Sequence, residues 1–426
     1  MNGPNGERGR AIEGAGWTRR ALLAAPLAAA LGACGRGRES GRLSLWATDV
    51  EGENVKFVLA GFDRAASVDL QWLASAAAHE KLLTAYAGGS LPDVLMVARD
   101  WLAEFEAIGV LSPLPSPALL GDQVANARVS MARGGRWWAV PWTLDGMLVY
   151  HRRDVLADAG YDGVPARLDE WRAMLRAVKR RGRARFGVLM QLDWPEHLFN
   201  ISNQIAGLPL ADRWSRGTFR SGAFREALAL YKSLFDEGLA PLAGGTQAPD
   251  PSGDLSRGFV ATYAAGAWTR ADLLRRRLMP RGDWGAGVLP GVDGPGVTVV
   301  GGALLGVAHD APDPALAWSL VRYLTRPDTQ LRFFHAAGVM PSRRSAWADP
   351  RVARDPVARV FADALSRPAP VPPIAEWPRI KSEVQLIAER LARGQVTVAE
   401  AAAAMDARAD ALLEKRRWLL DRGRIA

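Results

Sequence analysis

Apolar residues recur along this chain at two spacings, and the spacing predicts which segments are strands and which are helices. Short apolar runs alternate with segments that carry an apolar residue every three or four positions. The runs predict β-strands, and the wider spacing predicts amphipathic α-helices. In the amino-terminal part, the predicted strands are 43–48, 68–72 and 94–98, and the predicted helices are 54–65, 79–87 and 101–108. This order predicts a parallel sheet that helices cover on both faces.

A second series of alternating elements follows and ends in a helical segment. Its predicted strands are 186–190 and 259–263, and its predicted helices are 154–159, 169–180, 222–237 and 270–278. After the connection 284–300, which is compatible with a second crossing back, the pattern predicts strand 303–308 and helices 314–324, 328–337, 380–391 and 397–420. Thr397 and Glu400 have the spacing of a capping box at the start of the last helix. The Gly- and Pro-rich segments 284–300 and 366–378 are predicted to be extended connections. The chain is therefore predicted to be an α/β protein in which the alternation of the first lobe is repeated in a second.

The stretch 136–156, with the sequence RWWAVPWTLDGMLVYHRRDVL, predicts a crossing between two sheets. Pro141 cannot donate a hydrogen bond within a central strand and Gly146 has no side chain to pack, so one strand ends and another begins between them. A crossing here places Trp142 and Asp145 at the seam between two lobes. Ligand sites favour such seams.

The composition is that of a globular protein without a nucleic-acid partner. The chain of 426 residues is long enough for two domains, and its 49% apolar residues can fill both cores. The formal net charge of +9 comes mainly from scattered arginines, whereas a nucleic-acid site needs a basic cluster. We therefore predict a solvated, arginine-rich surface.

Residues 18–34, with the sequence TRRALLAAPLAAALGAC, have the features of a bacterial export signal. Paired arginines precede an apolar stretch that is too short to span a bilayer permanently. Leu31 to Cys34 matches the lipobox of lipoprotein signals, and Cys34 is the only cysteine. We predict that residues 1–33 are a signal peptide, that Cys34 is lipidated and that 34–42 form a tether. This predicts a protein of the cell envelope, lipid-anchored on the outer side of the cytoplasmic membrane and either periplasmic or extracellular.

The sequence contains little that points to catalysis. Its five histidines lack the paired spacing of a zinc site, and there is no GxSxG nucleophile motif. We therefore predict no catalytic residue, no metal and no cofactor. Asp145 paired with a distant carboxylate stays open as a glycosidase-like arrangement.

Tryptophan is the stronger functional signal, with 16 residues against 12 phenylalanines and 6 tyrosines. An indole has a broad apolar face that suits the C–H face of a sugar ring, and one donor at its edge. Any single tryptophan is more often a core residue, but several lie where predicted strands end or connections begin. These are Trp46, Trp101, Trp142, Trp194, Trp268 and Trp377. Their recurrence at strand ends favours a carbohydrate site.

Several motifs follow one another in a specific order and spacing along the chain. They are the lipobox, Gly89-Ser90-Leu91-Pro92-Asp93-Val94, Pro141-Trp142, Leu148 to Leu156, Ala265-Gly266-Ala267-Trp268, Gly301-Gly302, Ala317-Trp318, Tyr323-Leu324-Thr325 and Gly338 to Arg343. Together they resemble the extracellular solute-binding proteins of bacterial ABC importers, and specifically the carbohydrate-binding family 1 that includes maltose-binding proteins. The resemblance covers residues 43–415. His151 and Arg153 depart from the family pattern, which has Asn and Asp there.

The resemblance implies a periplasmic-binding-protein fold, in which two α/β lobes are joined by crossing hinge strands and close over a ligand. The resemblance also implies a helical segment at the carboxyl terminus. The implied boundaries are 43–143 and 297–343 for lobe 1, and 144–296 and 344–426 for lobe 2.

Positions that match the family's sugar site supply the candidate ligand-binding residues. Asp100 and Asp145 match sugar-binding acids, and Trp268 and Trp377 match aromatic platforms of the second lobe. The loop after the first strand, which contains Glu51, also reaches the ligand. The candidates are Trp46, Asp49, Asp100, Trp101, Trp142, Asp145, Trp194, Trp268, Gly302 and Trp377.

The resemblance implies a monomeric, lipid-anchored subunit that binds a sugar or oligosaccharide, partners an ABC permease and has no catalytic activity. Two alternatives stay open. The ligand can be a glycerol phosphate or another polar solute, which basic residues clustered in the cleft would favour. From a different class, the chain can be a surface lipoprotein enzyme acting on polysaccharide, which facing carboxylates would favour. The sequence names neither the sugar, its length, the permease nor the export route.

Overall fold

Two β-sheets organise the chain in the computed structural model. The structure describes residues 42–62, 67–124, 132–133 and 135–425. The predicted signal peptide, the lipidation at Cys34 and nearly all of the predicted tether lie outside the described residues. Within the described ranges, no helix is long and apolar enough to cross a membrane.

The first sheet is built mainly from the amino-terminal part of the chain. Its strands are β1 (Arg42–Thr48), β2 (Ser67–Leu73), β3 (Val94–Ala98), β6 (Val140–Pro141) and β15 (Ala303–Val307), in the order β2-β1-β3-β15-β6. β1 and β3 are parallel, as predicted, but β15 is antiparallel to both β3 and β6. The parallel arrangement predicted from the amino-terminal strands is confirmed for β1 and β3, but the complete sheet is mixed, because β15 returns from a distant part of the chain and enters between β3 and β6 in the opposite direction.

The stretch 136–156 crosses between the sheets, in shorter pieces than predicted. Its strands are β5 (Arg136–Trp137), β6, β7 (Thr143–Leu144) and β8 (Leu148–Arg152). β5 pairs with β4 (Ala132–Arg133), and β7 pairs with β16 (Met340–Pro341). β6 is an edge strand, where Pro141 is tolerated because its missing N–H faces no partner. The predicted crossing is confirmed.

The second sheet has the order β13-β8-β12-β9. Its further strands are β9 (Phe186–Leu189), β12 (Val260–Ala265) and β13 (Trp284–Gly287). β12 runs parallel to β9 and antiparallel to β8. β13 and β14 (Thr298–Val299) lie in the segment predicted to be an extended connection, and β14 pairs with β17 (Pro368–Ala369). The prediction missed β13 because two of its four residues are glycines, which carry little strand signal. A small hairpin pairs β10 (Leu210–Ala211) with β11 (Arg216–Gly217).

Helices pack around both sheets. In chain order they are α1 (Asp49–Asn54), α2 (Lys56–Leu59), α3 (Ser75–Ala87), α4 (Leu102–Ile108), α5 (Arg153–Asp158), α6 (Leu168–Arg181), α7 (Glu196–Ile205), α8 (Gly222–Asp236), α9 (Pro251–Ser256), α10 (Ala267–Arg275), α11 (Pro314–Leu324), α12 (Pro327–Ala337), α13 (Arg344–Trp347), α14 (Pro350–Ala353), α15 (Pro356–Leu365), α16 (Trp377–Ala392), α17 (Val398–Leu412) and α18 (Glu414–Asp421). Short 3₁₀ turns span Arg99–Trp101 and Pro117–Leu120. The predicted helix 54–65 is confirmed in part: α2 lies within it, α1 begins earlier, directly after β1, and residues 63–65 lie outside the described residues. The predicted last helix is divided at Leu413.

Several helix ends follow the sequence signals. Asp313 caps α11, since its Oδ1 accepts a hydrogen bond of 2.9 Å from the N–H of Leu316. Thr397 and Glu400 form the predicted capping box at the start of α17. Gly338 ends α12 with φ at 72°, a conformation in which a side chain is strained. These boundaries are local properties of the sequence.

Separate buried clusters fill the two lobes. One contains apolar residues of β1, β3, β15 and α11. Another contains residues of α6, α7, α8, α16 and α17, and a third surrounds β8, β12 and α15. Because α16 and α17 pack against α7 and α8, the helical carboxyl-terminal segment belongs with the second sheet.

Arg343, the last residue of the Gly338 to Arg343 motif, is a buried structural arginine. Its guanidinium donates to the carbonyl oxygens of Thr325 at 2.7 Å, Leu120 at 2.6 Å and Leu119 at 3.2 Å. A Cβ at Gly121 would lie 1.4 Å from this guanidinium. The motif therefore supports the scaffold of the first lobe.

Candidate ligand-binding cleft

A cleft of about 680 Å³ lies between the two sheets. Thr48 and Ala98, at the carboxyl ends of β1 and β3, line it from the first lobe, and Tyr263 of β12 lines it from the second. The carboxyl ends of parallel strands are where ligands bind in open α/β sheets. This location agrees with the sequence-based expectation.

Asp145 lies in the cleft on the crossing between the lobes. Its backbone pairs with Gly301, and its Oδ1 accepts a hydrogen bond of 2.8 Å from the N–H of Ala267. Ala267 is the first residue of α10, and a helix amino terminus favours a carboxylate. Burial nevertheless raises the pKa of Asp145 to about 7. The carboxyl group can therefore be ionised or protonated near neutral pH.

Glu51 of α1, in the loop after the first strand, is a second acid in the cleft. Its Oε1 accepts a hydrogen bond of 2.8 Å from the hydroxyl of Thr143. Burial raises the pKa of Glu51 to about 7; the Thr143 bond lowers it and the charge of Asp49 raises it further. Thr143 and Asp145 are two residues apart along the crossing, which places their side chains on the same face. The two raised-pKa acids therefore line one part of the cleft.

Because Glu51 and Asp145 have raised pKa values, we predict that the free protein is more stable at mildly acidic pH than at neutral pH. Their pKa values are near 7 in the folded state and about 4 in an unfolded chain. Between these values the folded state binds more protons, so the free energy of unfolding is expected to rise as pH falls from about 7 to about 4. We expect a rise of about 2 kcal/mol, because water in the cleft weakens the burial effect. Urea unfolding across this pH range measures it.

The matched control is the double variant Glu51→Gln and Asp145→Asn, in which neither side chain titrates. Its free energy of unfolding is expected to lack this component, so the difference between the two proteins isolates the two acids. Parallel pH curves for both proteins would contradict the assignment.

Three tryptophans line the cleft together. Trp101 follows β3 in the first lobe, and Trp194 and Trp268 lie in the second. The ring centroids of Trp194 and Trp268 are 5.9 Å apart with the planes tilted by 55°. Tyr263 stands beside Trp194 and donates its hydroxyl to Gln191 at 3.2 Å. The two lobes thus present aromatic faces to the same space.

Trp72 is a further cleft tryptophan that the sequence did not reveal. It is 48% exposed, and its Nε1 donates to the carbonyl oxygen of Asp49 at 3.1 Å. Asp49 has φ at 50°, a strained conformation for a residue other than glycine. Trp72 was predicted to be an ordinary member of an alternating strand, and only its placement beside α1 exposes it to the cleft.

Three predicted tryptophans do not line the cleft. Trp46 packs on the first sheet, with Lys81 Nζ 5.0 Å from its ring centroid. Trp142 is fully buried and stacks on Phe333 at 5.0 Å. Trp377 is 4% exposed and begins α16 within the core of the second lobe. The placement of these residues at the surface of the cleft is corrected, because their indole faces cover apolar neighbours; Trp377 lines a smaller side pocket instead.

Two other candidates have different positions. Gly302 lines the cleft with φ at 111°, and a Cβ there would lie 2.3 Å from the carbonyl oxygen of Thr143. The absence of a side chain at Gly302 lets its backbone lie close to the backbone of Thr143 in the crossing. Asp100 does not line the cleft, because its carboxylate forms an ion pair of 2.7 Å with Lys381.

The arginines in the cleft lining already have acidic partners. Arg276 lies 2.6 Å from Asp250 and 3.0 Å from Asp272. Arg275 lies 3.5 Å from Glu53 and 3.6 Å from Asp272. Their charges are therefore balanced within the protein. Among the described residues, no group of three or more His, Cys, Asp or Glu side chains could hold a metal ion.

Residues 52–331 match the family described as bacterial extracellular solute-binding protein. Because this match covers more than half of the chain, which also has the two sheets and the cleft described above, the chain belongs to this family. The predicted family and α/β fold are confirmed.

Known proteins resemble the chain over most of its length. It is 33% identical to the sugar-binding protein MalE from Xanthomonas citri, over 89% of this chain and 99% of that one, with a TM-score of 0.78. It shares the fold of the GacH receptor of Streptomyces glaucescens, whose structures include a complex with acarbose, at a TM-score of 0.81 and 23% identity, over 88% of this chain and 99% of that one. It is 28% identical to an uncharacterized lipoprotein of Streptomyces antibioticus, over 76% of this chain and 74% of that protein.

Proposed function

We propose that this chain captures a neutral sugar or oligosaccharide in its cleft and delivers it to the permease of an ABC importer. The observation that carries the proposal is the meeting of tryptophan faces and half-buried acids in one cleft between two lobes. The resemblance to the sugar-binding protein of Xanthomonas citri and to the acarbose-binding receptor of Streptomyces glaucescens supports it.

The contacts in the cleft explain how a sugar would bind. Trp194 and Trp268 offer apolar faces to its C–H groups, while the carboxyl oxygens of Asp145 and Glu51 accept hydrogen bonds from its hydroxyl groups. Closure of the lobes removes water, which strengthens each hydrogen bond. A Kd of about 1 μM requires about −8 kcal/mol, which stacking and several hydrogen bonds can supply after ordering costs.

The charge of the cleft favours a neutral ligand over a glycerol phosphate. The lining contains the acids Asp49, Glu51, Glu53, Asp145, Glu196, Asp250 and Asp272 against Arg275 and Arg276. Both arginines are already paired. A phosphate would therefore meet uncompensated negative charge.

The remaining parts of the proposal concern anchoring and hinge motion. Cys34 would carry the lipid on the outer side of the cytoplasmic membrane, and the chain would act as a monomer without catalysis. The lobes would comprise 43–143 with 297–343, and 144–296 with 344–426. The separate cores of the two sheets support this division, and the name of the lipoprotein relative supports the anchor.

A thermal-shift screen of the mature chain, with Cys34→Ser to prevent lipidation, tests the proposal. Mono-, di- and oligosaccharides are compared with glycerol phosphate, and each sugar is recovered for mass measurement. We expect saturable stabilisation by one class of sugar and no change in its mass. Stabilisation by glycerol phosphate alone would replace the ligand assignment, and cleavage of the sugar would show that the cleft carboxylates act as an enzyme.

A further inference from the structure

A three-membered ion bridge joins the two lobes beside the cleft. Lys381 Nζ lies 2.7 Å from Asp100 Oδ2 and 2.7 Å from Glu196 Oε1. Asp100 is on the 3₁₀ turn after β3, whereas Lys381 and Glu196 are on α16 and α7 of the second lobe. The three side chains are between 17% and 26% exposed. One cation therefore holds an acid of its own lobe and an acid of the other.

The charges of the bridge depend on one another. Burial by itself lowers the pKa of Lys381, but the charges of Asp100 and Glu196 raise it above its usual value. Lys381 is therefore positively charged. Separation of the lobes breaks the contact of Lys381 with Asp100 and leaves its contact with Glu196. Only the ion pair between Lys381 and Asp100, called the Asp100 arm below, therefore depends on closure of the lobes.

The bridge lies where the cleft meets a smaller side pocket. Glu196 lines both spaces, and Lys381 lines the side pocket, which has a volume of about 60 Å³. Phe199 and Trp377 form its aromatic wall, with ring centroids 5.1 Å apart. This volume is less than a tenth of that of the cleft, so the side pocket is too small for a further sugar ring while the bridge is formed.

We infer that Lys381 is a specificity-determining residue that closes one end of the cleft and limits the length of the bound oligosaccharide. The inference rests on the proposed function. A short oligosaccharide is enclosed while the bridge is formed, so the Asp100 arm contributes to its affinity. A longer one must separate Lys381 from Asp100 to reach the aromatic wall, so the same arm opposes its binding.

Asp100→Asn tests this, with Glu196→Gln as the matched control. Each variant removes one acid and leaves Lys381 with the other, but only Asp100→Asn weakens the connection between the lobes. Calorimetric titration with α-1,4-linked glucose oligomers of increasing length gives the Kd for each. In Asp100→Asn we expect the shortest bound oligomer to bind about fivefold more weakly, and the ratio of long-chain to short-chain affinity to rise about tenfold.

The distance between spin labels on the two lobes, measured without sugar, tests the bridge independently of any contact with a ligand. In the mature Cys34→Ser chain, Ala60→Cys and Arg180→Cys place one exposed spin label on each lobe. Without sugar, Asp100→Asn is expected to shift the label distances toward larger separation, and Glu196→Gln is expected to leave them unchanged. Melting temperatures of both variants confirm that they fold.

The outcomes separate the two proposals. If the unsubstituted chain binds oligomers but Asp100→Asn leaves the affinity ratio and the label distances unchanged, the role of Lys381 is wrong and the proposed function stands. Equal effects of the two substitutions on the label distances also contradict the role of Lys381, because the ion pair between the lobes would then have no more influence on their separation than the ion pair within the second lobe. If the unsubstituted chain binds no sugar at all, the proposed function fails and the limit on length fails with it.

Discussion

Trp142→Ala is expected to lower the free energy of unfolding by about 3–5 kcal/mol, the range for removing a large aromatic side chain from a core. The indole is fully buried in the core of the first lobe and stacks on Phe333 with an angle of 11° between the planes. Alanine would leave a cavity between β6 and α12, because close-packed neighbours relax only partly. Urea unfolding at constant pH measures the change.

Trp142→Phe is the matched control. It keeps an aromatic ring against Phe333 and removes the Nε1–H, which has no hydrogen-bond partner among the described residues. Its cost is therefore expected to be below about 1.5 kcal/mol. For both variants, the ligand affinity is measured under conditions where the variant is folded. It is expected to stay within about threefold of the affinity of the unsubstituted chain, a difference of less than about 1.4 kcal/mol in binding free energy. A large loss of affinity with unchanged stability would show that Trp142 contacts the ligand after all.

Trp268→Ala is expected to weaken sugar binding by about tenfold to a hundredfold. Trp268 lines the cleft at the start of α10 and is half-buried beside Trp194. Loss of an aromatic stacking face removes about 1.5–3 kcal/mol of binding free energy, while the helix itself keeps its backbone contact with Asp145. Calorimetric titration with the sugar found in the screen gives the affinity.

Trp418→Ala is the control for this substitution, because Trp418 is 49% exposed on α18 and is not part of the cleft. It is expected to leave the affinity unchanged, and Trp268→Phe is expected to retain part of the stacking. Equal losses for Trp268→Ala and Trp418→Ala would mean that the aromatic effect is unspecific, and the cleft would lose its assignment as the sugar site.

The two substitutions concern residues that the sequence could not distinguish. Trp142 and Trp268 both follow apolar runs near predicted strand ends. An indole has the same apolar face whether it covers Phe333 in a core or faces a cleft, so strand-end position alone predicts both. Burial separates them, and burial depends on which elements pack above each ring.

The acids show the same limit. Asp100 and Asp145 were both predicted to bind the ligand, but Lys381, from a distant part of the chain, pairs with Asp100. Asp145 accepts backbone hydrogen bonds from Ala267 and Gly146 and keeps its carboxyl group at the cleft. Glu51 lies in the loop that the family resemblance brings to the ligand, but the burial that raises its pKa depends on the tertiary structure, which residue type does not encode.

The sequence by itself determined the features that rest on local physics. Alternation of apolar residues gave the main strands and helices, Asp313 and Thr397 fixed helix starts through their own caps, and Pro141 with Gly146 marked the crossing. Tertiary structure alone decided the direction of β15 in its sheet, the strand at Trp284–Gly287, and which tryptophans and acids meet in the cleft. The physical reason is distance along the chain: capping and periodicity act within a few residues, whereas sheet pairing, burial and ion pairing join segments whose contact exists only in the folded protein.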